Sequence, residues 1–318
     1  MSPESSHRRA FNTPSDNFGR FHLCYENGLR NNPDLRPVAD YLFLNPKAGL
    51  SYSLSTGTAA HRVYGSLAVA NKEPNRDDFE AATTAQPRPE QLYDTELGYE
   101  IRKRKWQGAV NAYYMSYKDQ LVLTGKINDV GSYARTNVPE SYRMGLELMG
   151  SVSPFSWLTL EANATLSENK ISGFTEYIDN YDDNTQLAID HGQTDLAFSP
   201  GQVYSGILRL KPIQSAKAGT LEVDMLQKHV GRQYLDNTSN LKRSIKPYSI
   251  TDIRIRYTIR TRFVKELGLS VALNNVFNKL YESNGYTFSY IYGGSTTTQN
   301  YYYPQAGFNM LAGVRLKL

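Results

Sequence analysis

The 318-residue sequence has a single cysteine, Cys24, and only two tryptophans. One thiol cannot close an internal disulfide, and nothing around it in RFHLCYE has the form of a catalytic cysteine motif. Long hydrophobic runs are also missing. No apolar stretch reaches the roughly 18 residues of a transmembrane helix, so no membrane-spanning helix is encoded. Charge of one sign is not in excess: 35 Lys and Arg face 31 Asp and Glu, a net charge of +4. That balance is too small and too evenly spread to mark a nucleic-acid-binding surface. The opening stretch MSPESSHRRAFNTPSDNFGR carries a basic pair but no apolar segment, so it does not read as a signal peptide. The histidines His7, His22, His61, His191 and His229 show no metal-ligand spacing, and none stands beside a Ser or Cys in a recognisable motif. The expectation is a protein that is not an enzyme and takes neither metal nor cofactor. Convincing amphipathic helices are absent too.

What the sequence has is tyrosine, 24 copies against 12 phenylalanines, and alternation. In WLTLEANATLS (157–167), Leu158, Leu160, Ala162, Ala164 and Leu166 alternate with Thr159, Glu161, Asn163, Thr165 and Ser167. Such a period of two makes a strand with unlike faces. The same pattern recurs in 92–102, 142–151, 220–225, 250–259, 267–274 and 308–318, and more weakly in 46–54, 61–71, 105–117 and 201–211. The total is about eleven strands, most of them long enough to cross a bilayer at a tilt. A large soluble antiparallel β protein is the competing reading. The connectors separate the two. Short ones (55–60, 103–105, 153–155, 212–218 and 260–266) alternate with long ones (72–89, 118–138, 170–198, 231–247 and 278–304). A meander sends alternate connectors to opposite ends, and short turns at one end with long loops at the other mark an outer-membrane barrel. In that reading Leu158, Leu160, Ala162, Ile253, Ile255, Leu267, Leu269 and Val271 face lipid. Glu147, Glu161, Asn163, Asp252 and Arg254 face the lumen. Trp157 sits at girdle level beside a short turn.

Several stretches, in order, resemble the C-terminal half of the barrel of TonB-dependent outer-membrane receptors. They are FLNPKAGLSYSL (43–54), VYGSLAVANKEPNRDDF (63–79), the run from Tyr113 to Leu148, NATLSENKI (163–171), VGRQYLDNTSN (230–240) and LNNVFNKLYESNGYTFSY (273–290). The resemblance implies an all-β, antiparallel up-and-down barrel portion, about half of a 22-strand barrel and left open at its edges. Residues 41–318 would form it, with 1–40 an irregular N-terminal segment that includes a truncated strand or extracellular loop. It implies an outer-membrane location, contact with outer-membrane lipid, and a part in energised uptake of a small-molecule nutrient complex. An iron–siderophore or similar metal chelate is the leading expectation; a glycan importer of the same family, or a passive porin-like barrel, is the alternative. The family's N-terminal plug and the motif that engages a TonB-type energy transducer have no counterpart in this sequence. The chain is therefore expected to be inactive alone. Its last residue, Leu318, also departs from the terminal Phe usual in such barrels.

Two regions stand out as candidate sites. The connector 278–304 is dense in aromatics, and Tyr286, Phe288, Tyr290 and Tyr292 are the expected ligand contacts, because such side chains offer large flat faces at low entropic cost. The competing reading puts Tyr281 and Tyr301–Tyr303 in the girdle. Arg143, Glu147, Arg254 and Arg256 are expected to face the lumen, either in ordinary charge pairing along the wall or toward a plug. The acidic connector 174–198 (Glu176, Asp179, Asp182, Asp183, Asp190 and Asp195) lacks the spacing and turn glycine of a calcium loop and is expected to be a solvated polar segment.

Overall fold

A computed structural model of the chain describes residues 18–24, 38–81, 86–127, 133–260 and 263–318. Residues 1–17 and 25–37, and with them His7 and most of the N-terminal segment, lie outside the described residues. In chain order the elements are β1 (Phe18–Cys24), β2 (Val38–Leu44), β3 (Lys47–Thr56), β4 (Ala59–Lys72), α1 (Arg76–Ala81), β5 (Glu90–Lys103), β6 (Trp106–Ile127), β7 (Tyr133–Phe155) and β8 (Leu158–Ile171). There follow β9 (Thr175–Asn180), β10 (Thr185–Asp190), β11 (Thr194–Asp195), β12 (Gln202–Ser215), β13 (Gly219–Val230), β14 (Gln233–Tyr234) and β15 (Ser244–Ile245). The last are β16 (Tyr248–Ile259), β17 (Glu266–Asn274), β18 (Glu282–Tyr292), β19 (Ser295–Pro304) and β20 (Asn309–Lys317). No described helix is long and apolar enough to cross a membrane.

One sheet of twelve strands forms the wall: β3-β4-β5-β6-β7-β8-β12-β13-β16-β17-β20 in unbroken antiparallel succession, with the two-residue β11 added to β8. The eleven-strand meander expected from alternation is therefore present, and it does not close on itself. β3 and β20 are its edges, and every residue of both is exposed. Beyond the start of β3, β2 continues the same edge and pairs with β1 in a separate two-stranded ladder.

Register separates the faces as the alternation requires. Leu160, Leu208, Met225, Ile253 and Leu273 are successive cross-strand partners. So are Glu222 with Arg256 and Asp224 with Arg254 on the opposite face. Large apolar side chains on the first face are exposed, among them Leu97, Leu148, Leu160, Leu166 and Leu269. Along β6 this face reads Trp106, Gly108, Val110, Ala112 and Tyr114 before the first charge, Lys118. The eight steps from Trp106 to Tyr114, at about 3.4 Å each, give about 27 Å along the strand, close to the apolar height of an outer-membrane barrel. At the short-turn end Phe155 stacks on Trp157 at 5.3 Å and Lys103 lies over Trp106 at 5.2 Å. That is girdle chemistry, an aromatic body with a polar or cationic neighbour.

On the polar face two tyrosines lie flat along the wall. Tyr64 covers Gly98, where an added Cβ would come within 2.1 Å of its ring, and Tyr113 covers Gly145, where a Cβ would sit 2.6 Å from the Leu166 carbonyl and 2.7 Å from the Tyr113 hydroxyl. Each glycine is there because its neighbour's ring occupies the space a side chain would take.

Two features differ from the sequence reading. The connector 118–138 is mostly strand: β6 runs to Ile127 and β7 starts at Tyr133, a hairpin that overtops the wall. Its LVL segment can stay paired there because Val122 and Val138 are buried with Ile171, Phe174 and Leu196 in an apolar cluster under the long connectors. Second, α1 is a helix of one and a half turns in the 73–89 connector. Asn75 and Asp78 hold its start reciprocally: the Asp78 amide donates to Asn75 Oδ1 at 3.0 Å, and the Asn75 amide donates to Asp78 Oδ2 at 2.7 Å. This is a capping box, and Arg135 of β7 clamps the same carboxylate through two nitrogens at 2.7 and 2.6 Å.

The face assignment has a direct test. In a Cys24→Ser background, a nitroxide at position 160 or 255 is expected to collide with a lipid-phase relaxant, and one at 161 or 254 with an aqueous one. A one-residue slip would invert each strand, so the opposite pattern at both pairs would refute the assignment.

Candidate ligand-binding cap at the long-connector end

All five long connectors lie at one end of the wall, and three of them carry their own strands. β9 and β10 form a hairpin in 172–201, and β18 and β19 form another in 275–308. The two hairpins join into a four-stranded sheet through a short parallel contact, Tyr290 with Asp179 and Ile291 with Asn180. The β18–β19 turn is Gly293–Gly294, with φ of 62° and 70°, a conformation open to glycine in both central positions of a tight hairpin. Asp182, from the other hairpin, accepts from both glycine amides at 2.7 Å.

Alternation along β18 sorts the candidate aromatics. Tyr286, Phe288, Tyr290 and Tyr292 share one face, and Gly285, Thr287 and Ser289 the other. Tyr286 stacks on Tyr301 at 4.8 Å, Phe288 lies 6.1 Å from both Tyr301 and Tyr290, and Tyr290 meets Tyr181 at 5.9 Å. Three of the four expected contacts are thus brought into one half-buried aromatic stack. Tyr292 stands apart beside the glycine turn, 69% exposed. Tyr301 belongs to the stack.

The third strand-bearing connector, 231–247, holds the cap together. Asn237 is fully buried; its amide nitrogen donates to the Leu123 carbonyl at 2.5 Å, and its oxygen accepts from the Ala197 amide at 2.8 Å. Arg243 donates through Nη1 to Glu176 at 2.5 Å and to Asp236 at 2.9 Å, and Nη2 reaches Thr298 at 3.4 Å. One guanidinium therefore ties together three connectors. Burial alone would lower its pKa, but the bonds to Glu176 and Asp236 outweigh that and hold it above the ordinary arginine value. Asn300 donates to the Lys242 carbonyl at 2.8 Å. Sequence reasoning passed over Asn237, Asp236 and Arg243, because their partners lie up to 114 residues away.

The acidic connector is not a free polar segment. Glu176 meets Arg243 and His191, Asp179 accepts from Gln186, Asp182 holds the glycine turn, Asp183 and Asp190 accept locally, and Asp195 meets Lys170 and Ser239. Among the described residues, no group of three or more His, Cys, Asp and Glu is gathered to hold a metal ion.

The lumen candidates divide. Arg256 bonds both Glu222 and Asp224, the latter at 2.7 Å, and joins a network centred on Arg209, which meets Asp224 at 3.0 Å and Glu161 at 3.2 Å. Arg143 donates to Ser199 at 3.1 Å. Glu147 and Arg254 lie on the same polar face, with Glu147 opposite Asn111 and Thr165, and Arg254 opposite Asp224 and Ala272. Arg209 was the residue missed. Its strand alternates weakly, and the signal lay in its pairing with the acidic pair of the next strand.

A wall of this topology, with every long connector at one end, is matched at the level of sequence by a family model described as "TonB dependent receptor-like, beta-barrel", over residues 16–278. The chain belongs to the TonB-dependent receptor β-barrel family. Members of that family are outer-membrane receptors and transporters rather than enzymes. Similar solved structures include the copper transporter OprC (TM-score 0.64, 16% identity, 93% of this chain and 43% of that one). The siderophore receptor PiuA from Acinetobacter baumannii is similar too (0.62, 16%, 93% and 38%). So is the ferric yersiniabactin uptake receptor FyuA from Yersinia pestis (0.59, 16%, 93% and 40%). At these identities the likeness is one of fold, and the chain spans about two fifths of each receptor's length. No curated protein matches the sequence significantly.

The cap's dependence on Asn237 is testable. In Asn237→Ala the Leu123 carbonyl and the Ala197 amide lose their partner inside a buried site, at a cost of about 1–3 kcal/mol for an unsatisfied buried group. Amide exchange in 121–123 and 194–198 is expected to speed up accordingly, while exchange in β16 and β17 stays as it was. Unchanged protection under the cap would contradict the role given to Asn237.

Proposed function

We propose that this barrel segment serves a receptor that takes up a metal chelate, an iron–siderophore or a similar complex, with energy supplied through a plug and a TonB-type transducer. The observation that carries the reading is the stacked aromatic face of β18 and β19 at the long-connector end. Tyr286, Phe288 and Tyr290 are held there by Tyr301 and Tyr181, so their rings are ordered before a ligand arrives, which lowers the cost of binding. Flat, partly apolar ligands such as wrapped chelates suit such a surface. In support, one of the similar structures is described as a siderophore receptor, one as a ferric yersiniabactin uptake receptor and one as a copper transporter.

In this reading residues 41–318 supply wall and cap, and 1–40 lead into them. Arg143, Glu147, Arg254 and Arg256 face a plug across the lumen. The Arg209 network keeps that part of the surface charged but close to neutral, with Arg209, Lys211 and Arg256 against Glu161, Glu222 and Asp224. Such a surface can exchange its ion pairs for pairs with a plug at modest cost.

The test is a titration of the folded chain in detergent micelles with ferric tris-catecholate and tris-hydroxamate complexes. One of the two is expected to bind, and the double substitution Tyr286→Ala, Tyr290→Ala to weaken it by about tenfold, or about 1.4 kcal/mol, without loss of sheet content. Equal affinity in the folded double variant would remove the aromatic face from the ligand site.

A further inference from the structure

The residues between strands at the short-turn end (57–58, 104–105, 156–157, 216–218 and 260–265) include Arg104, Lys105, Lys217, Arg260, Arg262 and Lys265 and no Asp or Glu. The densest group is the β5–β6 turn, where Arg102, Lys103, Arg104 and Lys105 are consecutive and all exposed. Glu100, the nearest acid along the chain, is engaged by Arg62 at 3.6 Å. Among the described residues neither Lys103 nor Arg104 has an ion-pair partner. Contacts fix this turn against the aromatic rim. Lys103 Nζ lies over the Trp106 ring at 5.2 Å. Lys105 Nζ donates to the Pro154 carbonyl at 2.8 Å, and the Ser153 amide donates to the Lys105 carbonyl at 2.7 Å. The cations are thereby held beside the turn that carries the stacked Phe155 and Trp157.

Trp106 also lines a groove of about 820 Å³ in the outer side of the wall, together with Val152, Leu160 and Leu208. Register creates it. Gly108, Gly150, Ala162 and Gly206 are successive cross-strand partners, a floor of small residues on the lipid-facing side. Trp106, Val152, Leu160 and Leu208 form the next row toward the short turns, and their larger side chains stand above that floor. Gly108 is the third residue of β6, whereas Gly206 is nine residues from the short-turn end of β12. The groove therefore begins at the rim, beside the basic turn, and climbs obliquely into the apolar zone.

An occupant that matches both parts has an anionic head at the rim and an apolar tail along the wall. A soluble phosphate meets only the first demand and a neutral lipid only the second. Cations attract anionic headgroups, an acyl chain adds the apolar surface it buries, and the two signals together retain a lipid that either alone holds weakly.

We propose that the β5–β6 turn and this groove form one binding site for an anionic phospholipid of the leaflet on the short-turn side. Lys103 and Arg104 hold the phosphate, and one acyl chain lies along the groove over Gly150 and Ala162. The site rests on the face assignment of the wall and is independent of the nutrient taken up.

Both tryptophans of the chain, Trp106 and Trp157, stand at this rim, so the full chain with Trp157→Phe reports through Trp106 alone. It is folded in zwitterionic detergent micelles at constant ionic strength. Phosphatidylglycerol and phosphatidylcholine with brominated acyl chains are added, and quenching of Trp106 is followed against mole fraction. Phosphatidylglycerol is expected to reach half-quenching at a mole fraction about fivefold lower. Lys103→Gln with Arg104→Gln is expected to abolish that preference, and Lys217→Gln with Lys265→Gln to leave it in place. Ala162→Leu, at an exposed position, fills the groove and is expected to weaken quenching by phosphatidylglycerol several-fold. Glycerol 3-phosphate and inorganic phosphate are expected not to displace the lipid. Quenching by neither lipid would overturn the proposal together with the face assignment. Equal quenching by both lipids, equal loss in the two charge variants, unchanged quenching in Ala162→Leu, or displacement by either soluble phosphate would each overturn the site alone.

Discussion

The constraint on which this structure depends is that every peptide group in the wall must find its partner on a neighbouring strand. Lipid offers no hydrogen bonds, so a gap in the ladder would leave groups unpaired at several kcal/mol each. Between its two edge strands the wall meets that demand with an unbroken antiparallel succession from β3 to β20. Because each strand pairs only with its sequence neighbours in the meander, connectors must alternate between ends. Because the side-chain period is two, each strand must present opposite chemistries to the two sides. The exposed Leu97, Leu148, Leu160 and Leu269 and the Arg209 ion-pair network are two outcomes of one rule.

The same rule explains where the buried core lies. In the wall, apolar side chains point away from the protein. The apolar cluster of Val122, Val138, Ile171, Phe174 and Leu196 sits under the long connectors instead. There the chain meets water and has to bury apolar surface as a soluble domain does. The cap also carries the tightly held charges. Removing one partner from the Arg243, Glu176 and Asp236 set would leave a buried charge uncompensated, which is far more destabilising than losing an exposed pair. Wall and cap are built for different solvents from one continuous chain.

That division also decides what could be read from the sequence. The wall was legible because its information is local: WLTLEANATLS states its two faces within eleven residues, and connector lengths state the topology. Even the weakly alternating 201–211 was placed, although Arg209 was not singled out. The cap was legible only in composition. The aromatics of β18 were visible as residues, but not that Tyr301 and Tyr181 would hold them. The acidic residues of 174–198 looked free because their partners, Arg243, Ser239 and the Gly293–Gly294 amides, are contributed by other connectors. The rise of β6 and β7 above the wall was missed for the same reason, since only packing against the other connectors keeps that hairpin ordered. The cap of α1 by Asn75 and Asp78 was a local signal, but the helix is too short to show a period.

One property of the wall reaches past its own boundary. The succession from β3 to β20 has an odd number of strands, so both edges run the same way, from the long-connector end toward the short turns. Were β3 to meet β20 directly, the seam would be parallel, alone in a wall otherwise wholly antiparallel. Two copies joined edge to edge would carry two such seams. A strand set of odd number whose outer members run the opposite way meets both edges antiparallel. Parity thus acts as a selection rule on whatever the wall pairs with, and it operates through strand direction before any side chain is compared.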